Sequence, residues 1–194
     1  RLEQGDYRDD GGDFCAQIKR ARGDEVGALA QAFGSMREGI AKREQEIRRL
    51  AYWDPLTNLP NRAQFVVLLD EALHEARRRE HPVFVLMMDL NRFKHVNDVM
   101  GHSFGDALLR QVAERLQLQL STDHASAQVA RLGGDEFAIL LAAVSIDSAH
   151  AIAARILAAL EVPLSLDDQT VDIGAGLGIA GYPDSGDSAE ALLS

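Results

Sequence analysis

The chain is poor in residues that build several common kinds of site. It holds one cysteine, Cys15, which excludes a disulfide framework and a cysteine-rich zinc site. Its six histidines, at 74, 81, 95, 102, 124 and 150, are scattered and form no His-x-x-x-His pair. Basic residues are in short supply: 20 Lys+Arg stand against 30 Asp+Glu, a formal net charge of −10. Duplex binding needs a basic face, so this balance argues against nucleic acid as the main partner, and against simple electrostatic membrane binding. No apolar run approaches the ~18 residues of a spanning helix, and the acidic, glycine-rich start is not a signal peptide. Gly-x-x-x-x-Gly-Lys is absent, which excludes a P-loop NTPase. Neither a Gly-x-Ser-x-Gly nor a Cys–His arrangement supports nucleophilic hydrolysis.

What is present fits one domain of ordinary size plus something small: 194 residues, 46% hydrophobic and 26% charged. Residues 1–53 carry 10 Lys+Arg and 10 Asp+Glu, so the whole negative excess lies in the remaining 141. Two zones of composition predict two modules. Arg1 in place of an initiating Met, and the stop at Ser194 within "AEALLS", lead us to expect a piece of a longer protein.

The first zone opens polar, with Gly5, Gly11, Gly12 and Gly23 against any helix. From Gly23-Asp24-Glu25-Val26-Gly27 onward, Val26, Leu29, Ala30, Phe33, Met36 and Ile40 recur at helical spacing. Asp24 and Glu25 complement the positive end of that helix. Residues 41–53 continue it with alternating charge and Ile47, Leu50 and Ala51 on a narrow stripe, either a plain surface helix or a coiled-coil seam.

The second zone begins with "DPLTNLPNR" (54–62), a turn-rich joint in which Asn61 can cap a helix over 62–80. "PVFVLMMDL" (82–90) is a continuous apolar run ending in Asp89, the pattern of a strand buried on both faces. A carboxylate at such a strand end is well placed for a ligand site. The segment 91–106 is densely polar, and a helix built on Leu108, Leu109, Val112, Leu116 and Leu120 follows. In "QVARLGGDEFAILL" (128–141) two β-type runs flank Gly133-Gly134, predicting a hairpin with Asp135 and Glu136 just past its turn. A helix at 147–160 and a strand pair around 168–182 complete a β-α-β-β-α-β order. That order predicts an α+β, ferredoxin-like antiparallel sheet with helices on one face, preceded by a helical stalk.

Asp89, Asp135 and Glu136 could then converge. Three carboxylates at one spot raise each other's pKa unless a cation neutralises them, and an all-oxygen set favours Mg²⁺ or Mn²⁺ over zinc. Mg²⁺ on one or two carboxylates usually receives phosphates, which points to phosphoryl or nucleotidyl transfer. The Gly-Gly turn lets a ligand approach the backbone. Against this, an isolated Gly-Gly-Asp-Glu also makes a solvated hairpin tip, and Asp89 could cap the next turn. Residue chemistry alone favours the phosphate enzyme and leaves those readings open.

Two family resemblances sharpen the expectation. "GDY", a polar connector and "GDEVGALAQAF" resemble the second half of a HAMP signalling module, carried by Asp24-Glu25-x-Gly27. That implies a partial HAMP over 1–40 and a signalling stalk over 41–53. It also implies a longer protein on the cytoplasmic face of a bacterial inner membrane, anchored by segments before Arg1. "DPLTNLPNR", "MMDLNRFKHVNDVMGHSFGDALL" and "ARLGGDEFAILL" strongly resemble the GGDEF-domain diguanylate cyclases over 54–194.

The second resemblance implies Mg²⁺-dependent condensation of two GTP into cyclic di-GMP by a homodimer of facing domains. Asp89, the carbonyl of Leu90, Asp135 and Glu136 match the metal ligands; Asp135 also matches the catalytic base, and Glu136 a second catalytic carboxylate that helps activate the 3′-hydroxyl. Asn97 and Asp106 match the pair that reads guanine, whose donors and acceptors suit them. Lys94 matches a phosphate contact, and Phe93 lies in the same segment, where a core aromatic is an equal reading. Gly133 and Gly134 make room for the nucleotide. His102 reads as structural.

Departures also matter. His124-Ala125-Ser126-Ala127 stands where the family's product-inhibition site has Arg-x-x-Asp, so inhibition by product is expected to be absent. Asn91 stands where the family usually has Asp, a change expected to be harmless since Asp89 remains; the family's basic last helix would follow Ser194, so this piece is expected to be weakly active or inactive alone. The rival reading is a non-catalytic GTP-binding module regulating an adjacent phosphodiesterase domain. A pure dimerisation module leaves the three carboxylates unexplained.

Overall fold

The structure is a computed structural model describing residues 25–121, 127–166 and 169–194. It divides into two compact units, residues 1–49 and 50–194. In the first, α1 (Glu25–Tyr52) is one uninterrupted helix. Phe33, Met36, Ile40, Ile47 and Leu50 are all about half exposed along it. Their steps of three and four residues make a heptad stripe, with Arg43 at the one polar position. The partial HAMP expected over 1–40 falls largely on residues 1–24, outside the described ones.

The second unit begins with the joint. Asp54 accepts hydrogen bonds from the Thr57 N–H (2.8 Å) and Oγ1 (2.7 Å), closing the turn that Pro55 starts. Asn61 caps α2 (Arg62–Arg79) through its side chain, which accepts from the Gln64 N–H at 3.0 Å, as the sequence predicts. The sheet strands are β1 (Val83–Leu90), β2 (Gln128–Gly133), β3 (Glu136–Ala142) and a late strand at 175–182. Between β1 and β2 lie α3 (Phe93–Met100) and α4 (His102–Ser121), and α5 (Ile146–Glu161) follows β3. After α5 come β4 (Leu164–Leu166), β5 (Gln169–Val171), β6 (Ala175–Tyr182) and the short α6 (Ala189–Leu192).

The order β2-β3-β1-β6, antiparallel at every pairing, is the ferredoxin-like arrangement the element order predicts. Three expectations are corrected. First, helices cover both faces, not one. Phe84, Leu86, Met88 and Leu90 of β1 pack against α4 and α5, while Val83 and Val85 pack against Phe65, Leu69 and Leu73 of α2 with Leu192 of α6. The unbroken apolar run of β1 already required this, because a strand wetted on one face would alternate. Second, the expected strand pair around 168–182 does not form. β5 pairs with β4 in a separate hairpin, and β6 joins β1. Third, the polar 91–106 segment is mostly helical, broken at Gly101, whose φ of 85° suits glycine.

Candidate active site

Sheet register, not chain proximity, assembles the site. Asp89 is the next-to-last residue of β1 and stands opposite Glu136, the first residue of β3. Asp135 lies inside the two-residue turn Gly134-Asp135, one place earlier than the sequence expectation, and its carbonyl accepts the Leu90 N–H at 3.3 Å. On the other side of β1, Asp89 faces Gly176, which puts no side chain beside the carboxylates. The three acids therefore converge at one end of the sheet. Burial pushes the Asp89 carboxyl above its ordinary value, and the charges of Asp135 and Glu136 push it further the same way.

That electrostatic strain is what a hard cation relieves, and the donors are all oxygen. Among the described residues no group of three or more His, Cys, Asp or Glu side chains is placed to hold a metal ion by itself. An open set of carboxylates fits Mg²⁺, which keeps water or phosphate oxygens in its remaining positions. The residues present thus fit the ion. Arg62 Nη2 approaches Glu136 Oε2 at 3.4 Å, but both side chains are half exposed, so the pair contributes little to stability.

The adjoining helices supply the rest. α3 starts three residues after Leu90, and its N-cap residue Arg92 is left-handed (φ 61°) with no side-chain cap hydrogen bond. An uncapped helix start with Lys94 exposed in the first turn is suited to phosphate oxygens. Phe93, for which a phosphate-side and a core reading stood equally open, is 9% exposed and packs in the α4–α5 face of the core. Asn97 is partly buried, and its Oδ1 is buried without a hydrogen-bond partner. That oxygen lies against Gly105, the residue before the exposed Asp106, so the two proposed guanine readers are drawn together from α3 and α4. Gly133 (φ 144°) and Gly134 (φ 53°) are exposed, and nothing lies within 4 Å of where their Cβ atoms would be. His102 begins α4 and is exposed. Of the expected product-inhibition positions, His124, Ala125 and Ser126 lie outside the described residues.

One pair was not read as functional from the sequence. Arg131 Nη1 donates to Asp54 Oδ1 (2.9 Å) and Oδ2 (3.1 Å), and its Nε and Nη2 donate to the Gly134 carbonyl at 3.0 and 2.7 Å. Both residues sit within recognisable motifs, but they are 77 positions apart. Only the sheet topology shows that they meet.

Comparison with known proteins identifies the family. A family model described as diguanylate cyclase, GGDEF domain, matches residues 51–194. The diguanylate cyclase TpbB of Pseudomonas aeruginosa is 39% identical over 173 residues, covering 88% of this chain and 39% of its own length. MucR of the same organism, a bifunctional diguanylate cyclase/cyclic di-GMP phosphodiesterase, is 38% identical over 154 residues, 79% of this chain and 22% of its own. The chain thus spans well under half of these curated relatives. The solved structure of the GGDEF domain of TpbB superposes with a TM-score of 0.69 at 44% identity, covering 73% of this chain and 82% of that one. The chain belongs to the GGDEF-domain diguanylate cyclase family.

Proposed function

We propose that this domain condenses two GTP molecules into cyclic di-GMP, with Mg²⁺ (or Mn²⁺) and as a homodimer. The observation that carries this reading is the carboxylate cluster: Asp89 opposite Glu136 across β1 and β3, with Asp135 in the connecting turn. Asp89, the Leu90 carbonyl, Asp135 and Glu136 would hold the metal. When bound, Mg²⁺ supplies positive charge to the triphosphate and to the 3′-hydroxyl. Asp135 accepts the proton of that hydroxyl with Glu136 assisting its activation, and the hydroxyl oxygen attacks the α-phosphate of the other GTP as pyrophosphate leaves. Lys94 and the free N–H groups at the start of α3 hold the phosphates, and Asn97 with Asp106 reads the guanine edge. Gly133 and Gly134 leave room for the nucleotide at the turn.

Two such bonds close the product, so two sites must face one another. The exposed heptad stripe on α1 supports a parallel pairing with a second copy, because such a stripe is apolar surface that a partner helix would cover. In the longer protein this reading puts the domain on the cytoplasmic face of the bacterial inner membrane, behind a HAMP-like input. Among the described residues no helix is long and apolar enough to cross a membrane.

The test is direct. The full-length protein is incubated with GTP and Mg²⁺ and assayed for cyclic di-GMP, with Asp135→Ala as control. The wild type is expected to form product and the variant none. GTP binding with no product from the wild type would overturn the reading and favour a regulatory GTP-binding module beside a phosphodiesterase.

A further inference from the structure

The turn that carries Asp135 has little to hold it from within. Gly133 and Gly134 occupy left-handed backbone at φ 144° and 53°, and glycine restrains its own dihedrals least of all residues. The strand register is also irregular between Arg131 and Gly133. An outside brace is nevertheless present. The guanidinium of Arg131 places two donors, Nε and Nη2, on the Gly134 carbonyl at 3.0 and 2.7 Å. That carbonyl belongs to the peptide joining Gly134 to Asp135, so the two bonds fix the plane from which Asp135 departs.

Arg131 is itself held. Its Nη1 bonds both oxygens of Asp54, its main-chain N–H donates to the Pro60 carbonyl at 3.0 Å, and its side chain is 12% exposed. Asp54, 15% exposed, is fixed by Thr57 through two hydrogen bonds and by its own N–H to the Leu59 carbonyl at 2.7 Å. A planar, charge-assisted fork spanning two partners is a geometry that lysine cannot reproduce.

We infer that Asp54 and Arg131 are positioning residues for the reaction: the pair orients the Gly134-Asp135 peptide and so sets where Asp135 and Glu136 point. The inference rests on the proposed function for its catalytic consequence, and on geometry alone for its structural one. It makes the joint two residues beyond α1 a support of the site, although no atom of Asp54 reaches a carboxylate of the cluster.

Arg131→Lys, which keeps the charge but loses the fork, and Asp54→Asn, which is close to isosteric, test it in the purified full-length protein by two independent measurements. The first is amide hydrogen exchange, which needs no nucleotide. Exchange is expected to rise about tenfold more across residues 133–136 than in β1 and β6, the signature of a local opening. The second is kinetics with GTP. kcat is expected to fall about tenfold or more with KM for GTP within about twofold, because a misplaced acid loses the transition state before it loses binding. Unchanged exchange at the turn would overturn the inference. An equal rise in exchange at the turn and throughout the sheet, with kcat and KM worsening together, would also overturn it by reducing the pair to general stability. A wild type that makes no cyclic di-GMP would sink the proposed function, and the exchange measurement would still decide whether the pair holds the turn.

Discussion

A Cβ on Gly105 would stand 1.9 Å from Oδ1 of Asn97 and 2.9 Å from its Cγ. The absence of a side chain at position 105 is therefore what lets the Asn97 amide lie against α4. Gly105→Ala separates site from stability. Alanine in a helix gains about 0.5–1 kcal/mol over glycine, and the Asn97 side chain can rotate out of the way. The melting temperature is expected to stay within a few degrees of the wild type. GTP affinity, measured by calorimetry, is expected to drop about tenfold, equivalent to about 1.4 kcal/mol. Unchanged affinity would remove Asn97 from the nucleotide site.

Cation binding has its own thermal signature. Burial, then Asp135 and Glu136, raise the Asp89 carboxyl above its ordinary value. A folded-state pKa above the unfolded one means that the fold prefers the protonated acid, so ionisation costs stability as pH rises through the raised value. Asp89→Asn is accordingly expected to melt no lower than the wild type at neutral pH and low ionic strength. Mg²⁺ at a hundred times its Kd would stabilise the wild type by about 2.7 kcal/mol and the variant hardly at all. Equal Mg²⁺ shifts in both proteins would rule Asp89 out as a ligand.

Asp54 behaves in the opposite sense. Partial burial raises its carboxyl, but the hydrogen bonds from Thr57 and the Arg131 guanidinium outweigh that and hold it below its ordinary value. A depressed acid contributes stability that is present above the unfolded pKa and is lost as pH falls through the folded one. Asp54→Asn is expected to cost about 1–3 kcal/mol at neutral pH, the scale of hydrogen bonds to a charged group. The deficit should shrink below the ordinary carboxylate range. Urea unfolding across that pH interval measures it, and a deficit constant with pH would contradict the assignment.

The second face of the sheet can be tested on one helix. Phe65 is fully buried on α2 beneath β1, whereas Val67, two residues on, is 40% exposed. Phe65→Ala is expected to lose about 3–5 kcal/mol in denaturant unfolding, and Val67→Ala less than about 0.5 kcal/mol. Similar losses at both positions would mean that α2 does not seat as described.

Much of the fold could be read from local pattern. The continuous apolar run of 82–90 identified the central strand, and Asn61 marked the start of α2, because capping and two-faced burial leave signatures within a few residues. The strand order followed from the element order. The partner of β5 could not be read that way. It is a three-residue segment whose pairing depends on which edge lies near, and no periodicity records that. Phe93 was ambiguous for a related reason: an aromatic in a polar segment reads alike whether it faces ligand or core.

The chemistry available was already written in the chain: oxygen ligands without thiol or imidazole clusters, a glycine turn bearing two acids, and a strand ending in a third. Those are matters of residue type and spacing, which the chain carries wherever it folds. The tertiary structure alone decided which of these groups meet. Register set Asp89 against Glu136, helix packing set Asn97 against Gly105, and the hairpin brought Arg131 to Asp54 across 77 residues. Contacts between remote segments depend on how the sheet closes, and that is fixed only when both of its faces are buried.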